Sequence, residues 1–315
     1  MPRTPKLLAG VELGGTKCVC IIGTGPDDVR AMERLPTTAR EETLRQVEEV
    51  LERWRLQHGG FAALGIGSFG PADLDETSAT WGHITSTPKP GWRNTDVAQR
   101  LRRRCAVPVA FDTDVNAAAF AEGRWGGAKG LGDFAYVTVG TGIGVGSIVR
   151  GHSIYGITHT ELGHIRVVRR PGDTFAGSCP FHGDCLEGLA SGPAIEARTG
   201  KLAADLPADH PAWEFVAHAL AQLVHTMVLT TAPARIFLGG GVMAGQAHLF
   251  ARIQQELLRS LNGYVEVDAL GPDAVSRFIV PPGLGAMSGP LGALALAADA
   301  ARIANRRPPP AVANS

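Results

Sequence analysis

Residues 134–151, FAYVTVGTGIGVGSIVRG, restate a pattern already met at residues 7–23, LLAGVELGGTKCVCIIG. Each stretch reads as an apolar strand, a turn rich in glycine and threonine, and a second apolar strand. In the first copy the turn is marked by Gly14 and Gly15; in the second the strands flank the run Gly140, Thr141, Gly142. An opening device that occurs twice is the mark of two related halves. The length agrees, because 315 residues exceed what one hydrophobic core ordinarily serves.

Outward from the first copy, residues 41–57 (EETLRQVEEVLERWRLQ) set Leu44, Val47, Val50, Leu51 and Trp54 on one helical face with charges opposite. FAALGIG (61–67) is a short apolar run bounded by glycine, TDVAQRLRRRC (95–105) a short basic helix, and VPVAFD (107–112) another strand. After the second copy come a long apolar helix at 212–232, a strand RIFLGGG at 235–241, and an alanine-rich helix GPLGALALAADAARIA at 289–304. Strands and helices alternate in both halves, which predicts an α/β fold with its boundary near residues 117–130. NRRPPPAVANS at the end is proline-rich and polar and is expected to be disordered.

Thirty basic residues balance thirty acidic ones, so no net field draws the chain towards nucleic acid or an anionic membrane. No apolar run reaches the ~20 residues of a spanning helix, and the first ten residues lack a signal-peptide core. A soluble, cytoplasmic protein acting on a small molecule is expected. Cys18, Cys20, Cys105, Cys179 and Cys185 are an odd number in a long chain, which favours burial or metal ligation over a disulfide framework.

Gly65, Gly67 and Gly70 complete a literal G-x-G-x-x-G, yet Pro71 and an aperiodic polar stretch follow instead of a helix, which argues against a dinucleotide site. The two glycine turns are more informative as a pair. Their backbone N–H groups, with the hydroxyls of Thr16 and Thr141, suit phosphate oxygens, and the alternative for each is a plain tight hairpin. In FDTDVNAAAF (111–120) two acids stand where a strand gives way to a helix. Asp114 reads either as an N-cap or as a carboxylate that accepts the proton of an attacking sugar hydroxyl. ELGH (161–164) and CPFHGDC (179–185) supply His164, Cys179, His182 and Cys185, a tetrahedral zinc set that leaves no open position; the alternative is two buried thiols with surface histidines. A zinc there would tether the loops that carry Glu161 and Glu187.

Taken in order, GVELGGTK, DTDVNAAA, GTGIG, ELGH, the Cys/His cluster and LGGGV resemble the ROK family of sugar kinases and sugar-responsive repressors over residues 6–303. GSFGP, TPKPGW, CPFHGDCLEGLASGPAIEAR and VPPGLG are similar to its fructokinase branch. The resemblance implies two actin-like (ribonuclease H-like) α/β lobes with a nucleotide and sugar cleft between them. They are expected at 1–118, rejoined by the helix at 290–304, and at 119–289 with the zinc loop; 305–315 is the tail and the glycines at 123–132 are hinge material. It implies ATP phosphates on Gly14, Gly15, Thr16, Lys17, Gly140, Thr141, Gly142 and Gly144, with the nucleoside near Gly239, Gly240 and Gly241. Glu12, where many members have aspartate, would position Mg²⁺. Asp114 matches the general base, and Gly70, Asn116, Glu161, His164 and Glu187 match sugar contacts, His164 being either shared with structural Zn²⁺ or given over to it.

The expected reaction is ATP-dependent phosphorylation of a hexose 6-hydroxyl, D-fructose first, by a homodimer. A broader mannose, glucose or N-acetylhexosamine kinase is the near alternative, and a non-catalytic sugar-sensing regulator the distant one. Regulator members carry a helix-turn-helix domain ahead of the first hairpin, where five residues precede Lys6 here.

Overall fold

The computed structural model describes residues 6–306, which divide into two compact units, one of residues up to Ala121 together with those from Gly289 onward, the other Glu122–Ser288. In the first, β1 (Leu8–Leu13), β2 (Lys17–Gly25) and β3 (Asp28–Pro36) form an antiparallel meander. Helix α1 (Arg40–His58) leads to β4 (Leu64–Ser68); a small ribbon of β5 (His83–Ile84) and β6 (Thr95–Asp96), then α2 (Ala98–Cys105), lead to β7 (Val109–Thr113) and α3 (Asp114–Trp125). The main sheet has the order β3-β2-β1-β4-β7, with β1, β4 and β7 parallel.

Helix α1 buries Leu44, Val47, Val50, Leu51 and Trp54, the five apolar positions its periodicity selects, against the face of the sheet that carries Ala9, Val11 and Leu13. Each such side chain contributes roughly 1.5–3 kcal/mol on burial. The helix ends at Gly59, whose left-handed φ of 72° lets its N–H close on Arg55 O. Strand β3 is one of the elements the sequence pattern misses. It is an edge strand, largely exposed and interrupted by Arg30, Glu33 and Arg34, so little apolar alternation marks it.

In the second unit β8 (Phe134–Val139), β9 (Ile143–Val149) and β10 (His152–Ser153) repeat the meander. Then follow α4 (Leu186–Ala190), α5 (Gly192–Thr199), α6 (Ala212–Thr230), β11 (Ile236–Gly239), α7 (Gly241–Gly245), α8 (Leu249–Leu261), α9 (Val275–Phe278) and β12 (Ile279–Val280). The order β10-β9-β8-β11-β12 is that of the first sheet strand for strand, including which neighbours are parallel. The apolar helix α6 is buried through Trp213, Val216, Leu220 and Val224, and Leu249, Ile253, Leu257 and Leu261 of α8 join the same core.

Helix α10 (Ser288–Arg306) then returns to the first sheet, on the face opposite α1. A Cβ on Gly10 would lie 2.8 Å from Ala293 Cβ, and one on Gly65 2.0 Å from Ala293 O; one on Gly67 would lie 2.9 Å from Ala117 Cβ of α3. The G-x-G run therefore serves helix packing. Asn305 and Arg306, expected in the tail, remain helical because the helical pattern continues past Ala304; the remainder of the expected tail, from residue 307, lies outside the described residues.

Of the glycines at 123–132, Gly126 and Gly127 are closely packed, whereas Gly130 and Gly132 have open space around them. Glu122, fully buried, accepts hydrogen bonds from Gly127 N (2.9 Å), Gly283 N (3.0 Å), Leu284 N (3.0 Å) and Ser288 Oγ (2.7 Å). A Cβ at Gly126 would lie 2.1 Å from the Glu122 carboxylate and one at Gly127 2.7 Å from the Phe237 ring, so close packing selects glycine at both. Among the described residues no helix is long and apolar enough to cross a membrane.

Candidate active site

The turn between β1 and β2 is fixed through its carbonyls. Thr37 Oγ1 donates to Gly14 O (2.8 Å), Lys89 Nζ to Gly15 O (2.7 Å), and Thr37 N to Thr16 O (3.0 Å). Gly14 N closes the turn on Lys17 O at 2.9 Å. Thr16 and Lys17 are exposed at its tip.

Behind this turn lie three carboxyl groups. Glu12 of β1, Gly67 of β4 and Asp112 of β7 are neighbours in register across the parallel strands. Gly67 contributes no side chain to the row. Glu12 shares its face with Gly10, and its carboxylate reaches the first turn of α10, where a Cβ on Gly289 would lie 2.2 Å from Glu12 Oε1. Glu12 Oε2 is buried and has no hydrogen-bond partner among the described residues. Burial, opposed by Lys17 and reinforced by Asp114, pushes its pKa up to about 7.

Asp114 opens α3, and its Oδ1 accepts the Val115 N–H at 2.9 Å. The capping hydroxyl is that of Thr113, which accepts the Asn116 N–H at 3.2 Å, so Asp114 is the first helical residue rather than the cap. Burial raises Asp114 to about 6, opposed by the backbone N–H groups of Val115 and of Asp114 itself. Asp112 is likewise raised to about 6 by burial, opposed by the Asn116 amide, whose Nδ2 lies 2.7 Å from its Oδ1. Asn116 is itself buried, so its amide orients Asp112. Gly70 stands at the cis peptide bond to Pro71.

In the second unit the turn Gly140–Gly142 joins β8 to β9, while Gly144 lies within β9 opposite Thr138. Gly192 N donates to Gly140 O (2.7 Å), and Glu187 Oε2 accepts the Ile143 N–H (2.9 Å). A Cβ on Gly142 would lie 2.7 Å from that carboxylate. The turn after β11 packs against the same strand pair. Gly240, with φ of 90°, would bring a Cβ within 2.4 Å of Val139 O, so its bare backbone is required there. Two of the segments singled out by sequence, Gly140–Gly142 and Gly239–Gly241, thus meet along β8.

His164, Cys179, His182 and Cys185 come together with one ligand atom from each within 4.8 Å of all the others. His164 Nδ1 lies 3.7 Å from Cys179 Sγ, 3.5 Å from Cys185 Sγ and 3.3 Å from His182 Nδ1. These separations are compatible with the edges, about 3.3 to 3.8 Å long, of a tetrahedron with Zn–S bonds of about 2.3 Å and Zn–N bonds of about 2.0–2.1 Å. Burial pushes the Cys185 thiol up to about 11, a cost that a bound divalent cation reverses. The far nitrogen of His164, Nε2, is 3.9 Å from Glu187 Oε1. Glu161 lies 3.7 Å from buried His159, at the start of the short turn that presents His164.

Sequence reading missed Lys89 and Thr37. TPKPGW was noticed as a pattern, but a lysine's contact with a carbonyl 74 positions away leaves no local signal. Glu122 was missed as well, since a buried acid inside an alanine-rich helix looks like any exposed one.

A model of the "ROK family" matches residues 8–300. The chain is 43% identical over 291 residues to a fructokinase of Pediococcus pentosaceus, covering 92% of this chain and 97% of the relative. Over 301 residues it is 43% identical to a fructokinase of Zymomonas mobilis, covering 94% and 98%. Among solved structures it is similar to a ROK hexokinase from Thermus thermophilus, with a TM-score of 0.75, 26% identity and coverage of 94% and 99%. That likeness, carried by two sheets of one strand order, gives the chain the two-lobe actin-like ATPase fold. By a match that begins in β1 and ends in α10, the chain belongs to the ROK family.

Proposed function

We propose that this chain is an ATP- and Mg²⁺-dependent fructokinase that phosphorylates D-fructose at its 6-hydroxyl. The observation that carries the chemistry is Asp114, a carboxylate at the junction of β7 and α3 that burial tunes to about 6 and that backbone N–H groups steady. Such a group is ionised at neutral pH and still basic enough to take a proton in the transition state. The choice of fructose rests on relatives that are fructokinases over nearly their whole length.

Asp114 accepts the hydroxyl proton as the sugar oxygen bonds to the γ-phosphorus and ADP departs. The turns at Gly14–Lys17 and Gly140–Gly142 offer backbone N–H groups and threonine hydroxyls to phosphate oxygens, and Gly239–Gly241 offers bare backbone to the nucleoside. Glu12, with a buried oxygen that no described residue bonds, fits a carboxylate that holds Mg²⁺ or its waters. When bound, Mg²⁺ neutralises charge on the transferred group. Gly70, Asn116, Glu161, Glu187 and the Nε2 of His164 are assigned to the sugar, Asn116 acting through Asp112. Zn²⁺ on His164, Cys179, His182 and Cys185 is structural, because four protein ligands close its shell. Five free thiols fit a reducing compartment such as the cytoplasm. A homodimer is part of the same reading, and light scattering tests it.

The deciding experiment is a coupled assay of ADP release with ATP·Mg²⁺ and fructose, mannose, glucose, N-acetylglucosamine or N-acetylmannosamine. Fastest turnover on fructose is expected. Preference for another sugar overturns the substrate, and no turnover on any of them overturns the kinase.

A further inference from the structure

The segment TPKPGW, residues 87–92, is bound into the first unit at two points. The Trp92 indole is fully buried, meets Phe69 edge-on at 5.3 Å between ring centroids, and donates from Nε1 to Thr38 O at 2.9 Å. The Lys89 ammonium, half-buried, donates to Gly15 O at 2.7 Å and to Thr37 O at 3.1 Å. Thr37 in turn holds Gly14 O through its hydroxyl and Thr16 O through its N–H. Three successive carbonyls of the turn are therefore anchored, two by Thr37 and the middle one by a cation that reaches across from TPKPGW.

A trans peptide is planar, and its C=O and the following N–H point in opposite directions. Holding Gly14 O, Gly15 O and Thr16 O on one side turns the N–H groups of Gly15, Thr16 and Lys17 to the other. An anion site made of backbone donors works only while those donors are aimed before the anion arrives. Without Lys89 the peptide between Gly15 and Thr16, in a turn of two glycines, loses the group that sets its orientation.

We infer that Lys89 is a positioning residue for the phosphate-binding turn, so that TPKPGW acts on the nucleotide side of the reaction. This rests on the reading of Gly14–Lys17 as a phosphate site. The third N–H of the ammonium and its positive charge also favour polyphosphate near the turn.

Lys89→Met keeps most of the side-chain stem and removes the ammonium. The KM for ATP·Mg²⁺ is expected to rise about 10- to 100-fold, the range of one lost charge-assisted hydrogen bond. The KM for the sugar is expected to stay within about 3-fold, since its assigned contacts do not include Lys89. Calorimetric binding of ADP·Mg²⁺ should weaken in parallel, and Lys89→Arg should recover part of the loss. Thr37→Val, nearly isosteric, removes the hydroxyl on Gly14 O and should weaken ADP·Mg²⁺ in the same direction; it decides the matter if Lys89→Met does not fold. Unchanged ADP·Mg²⁺ binding with a raised sugar KM would overturn the inference and place Lys89 in the sugar pocket. If no hexose is turned over the kinase reading falls, and the ADP·Mg²⁺ comparison still decides the role of Lys89.

Discussion

Asp114 is placed at a cost to the fold. Its pKa of about 6 stands above the ordinary 3.8, so the folded chain binds this proton more tightly than the unfolded one. The stability linked to that proton is complete below the unfolded value and is lost as pH rises through about 6. Asp114→Asn, which cannot ionise, should therefore melt at a higher temperature than the parent at pH 8, and the gap should close towards pH 4; a gap independent of pH would contradict the assignment. Turnover should move the opposite way, falling as pH drops through about 6, and Asp114→Asn should lower kcat by about 10²- to 10⁴-fold with sugar binding nearly unchanged. The neighbouring Asp112 titrates in the same window but is held by Asn116, so Asp112→Asn should disturb the setting of α3 before the chemistry.

At the scale of elements the loop at 179–185 gathers, with His164, four potential metal ligands. His182 is exposed and Cys179 and Cys185 are buried, yet their ligand atoms converge. Removing the metal with a strong chelator should release about one zinc per chain and lower Tm, and Cys185→Ser should do the same. Metal analysis that finds no zinc in purified protein would leave the cluster as buried thiols beside histidines. This loop was legible because ligand spacing is a local pattern, as was α1, whose five apolar positions are those it buries. The glycine turns were legible because they recur. Strand β3 was not, since an edge strand needs few apolar residues, and Lys89 was not, since its partners are distant in sequence. The crowding at Gly126 and Gly127 was not legible, because sequence cannot separate a glycine that must bend from one crowded by a neighbour.

At the scale of the molecule the same five-strand order occurs twice, and the chain passes between the two units inside helices α3 and α10. Glu122 meets three N–H groups and a hydroxyl, all donors. Glu122→Gln replaces one acceptor oxygen by an amide that faces donors, and the buried mismatch should cost about 1–3 kcal/mol, read as a lower Tm with secondary structure retained. An unchanged Tm would mean that the pocket relaxes around the amide. Glu122 and Ser288, which bond to each other at 2.7 Å, are also the first and last residues of the second unit. A unit whose ends touch is a guest in its host polypeptide. It occupies one interruption in the backbone, so a foreign domain with equally close ends could be grafted at Ala121 and Gly289 without stretching the host.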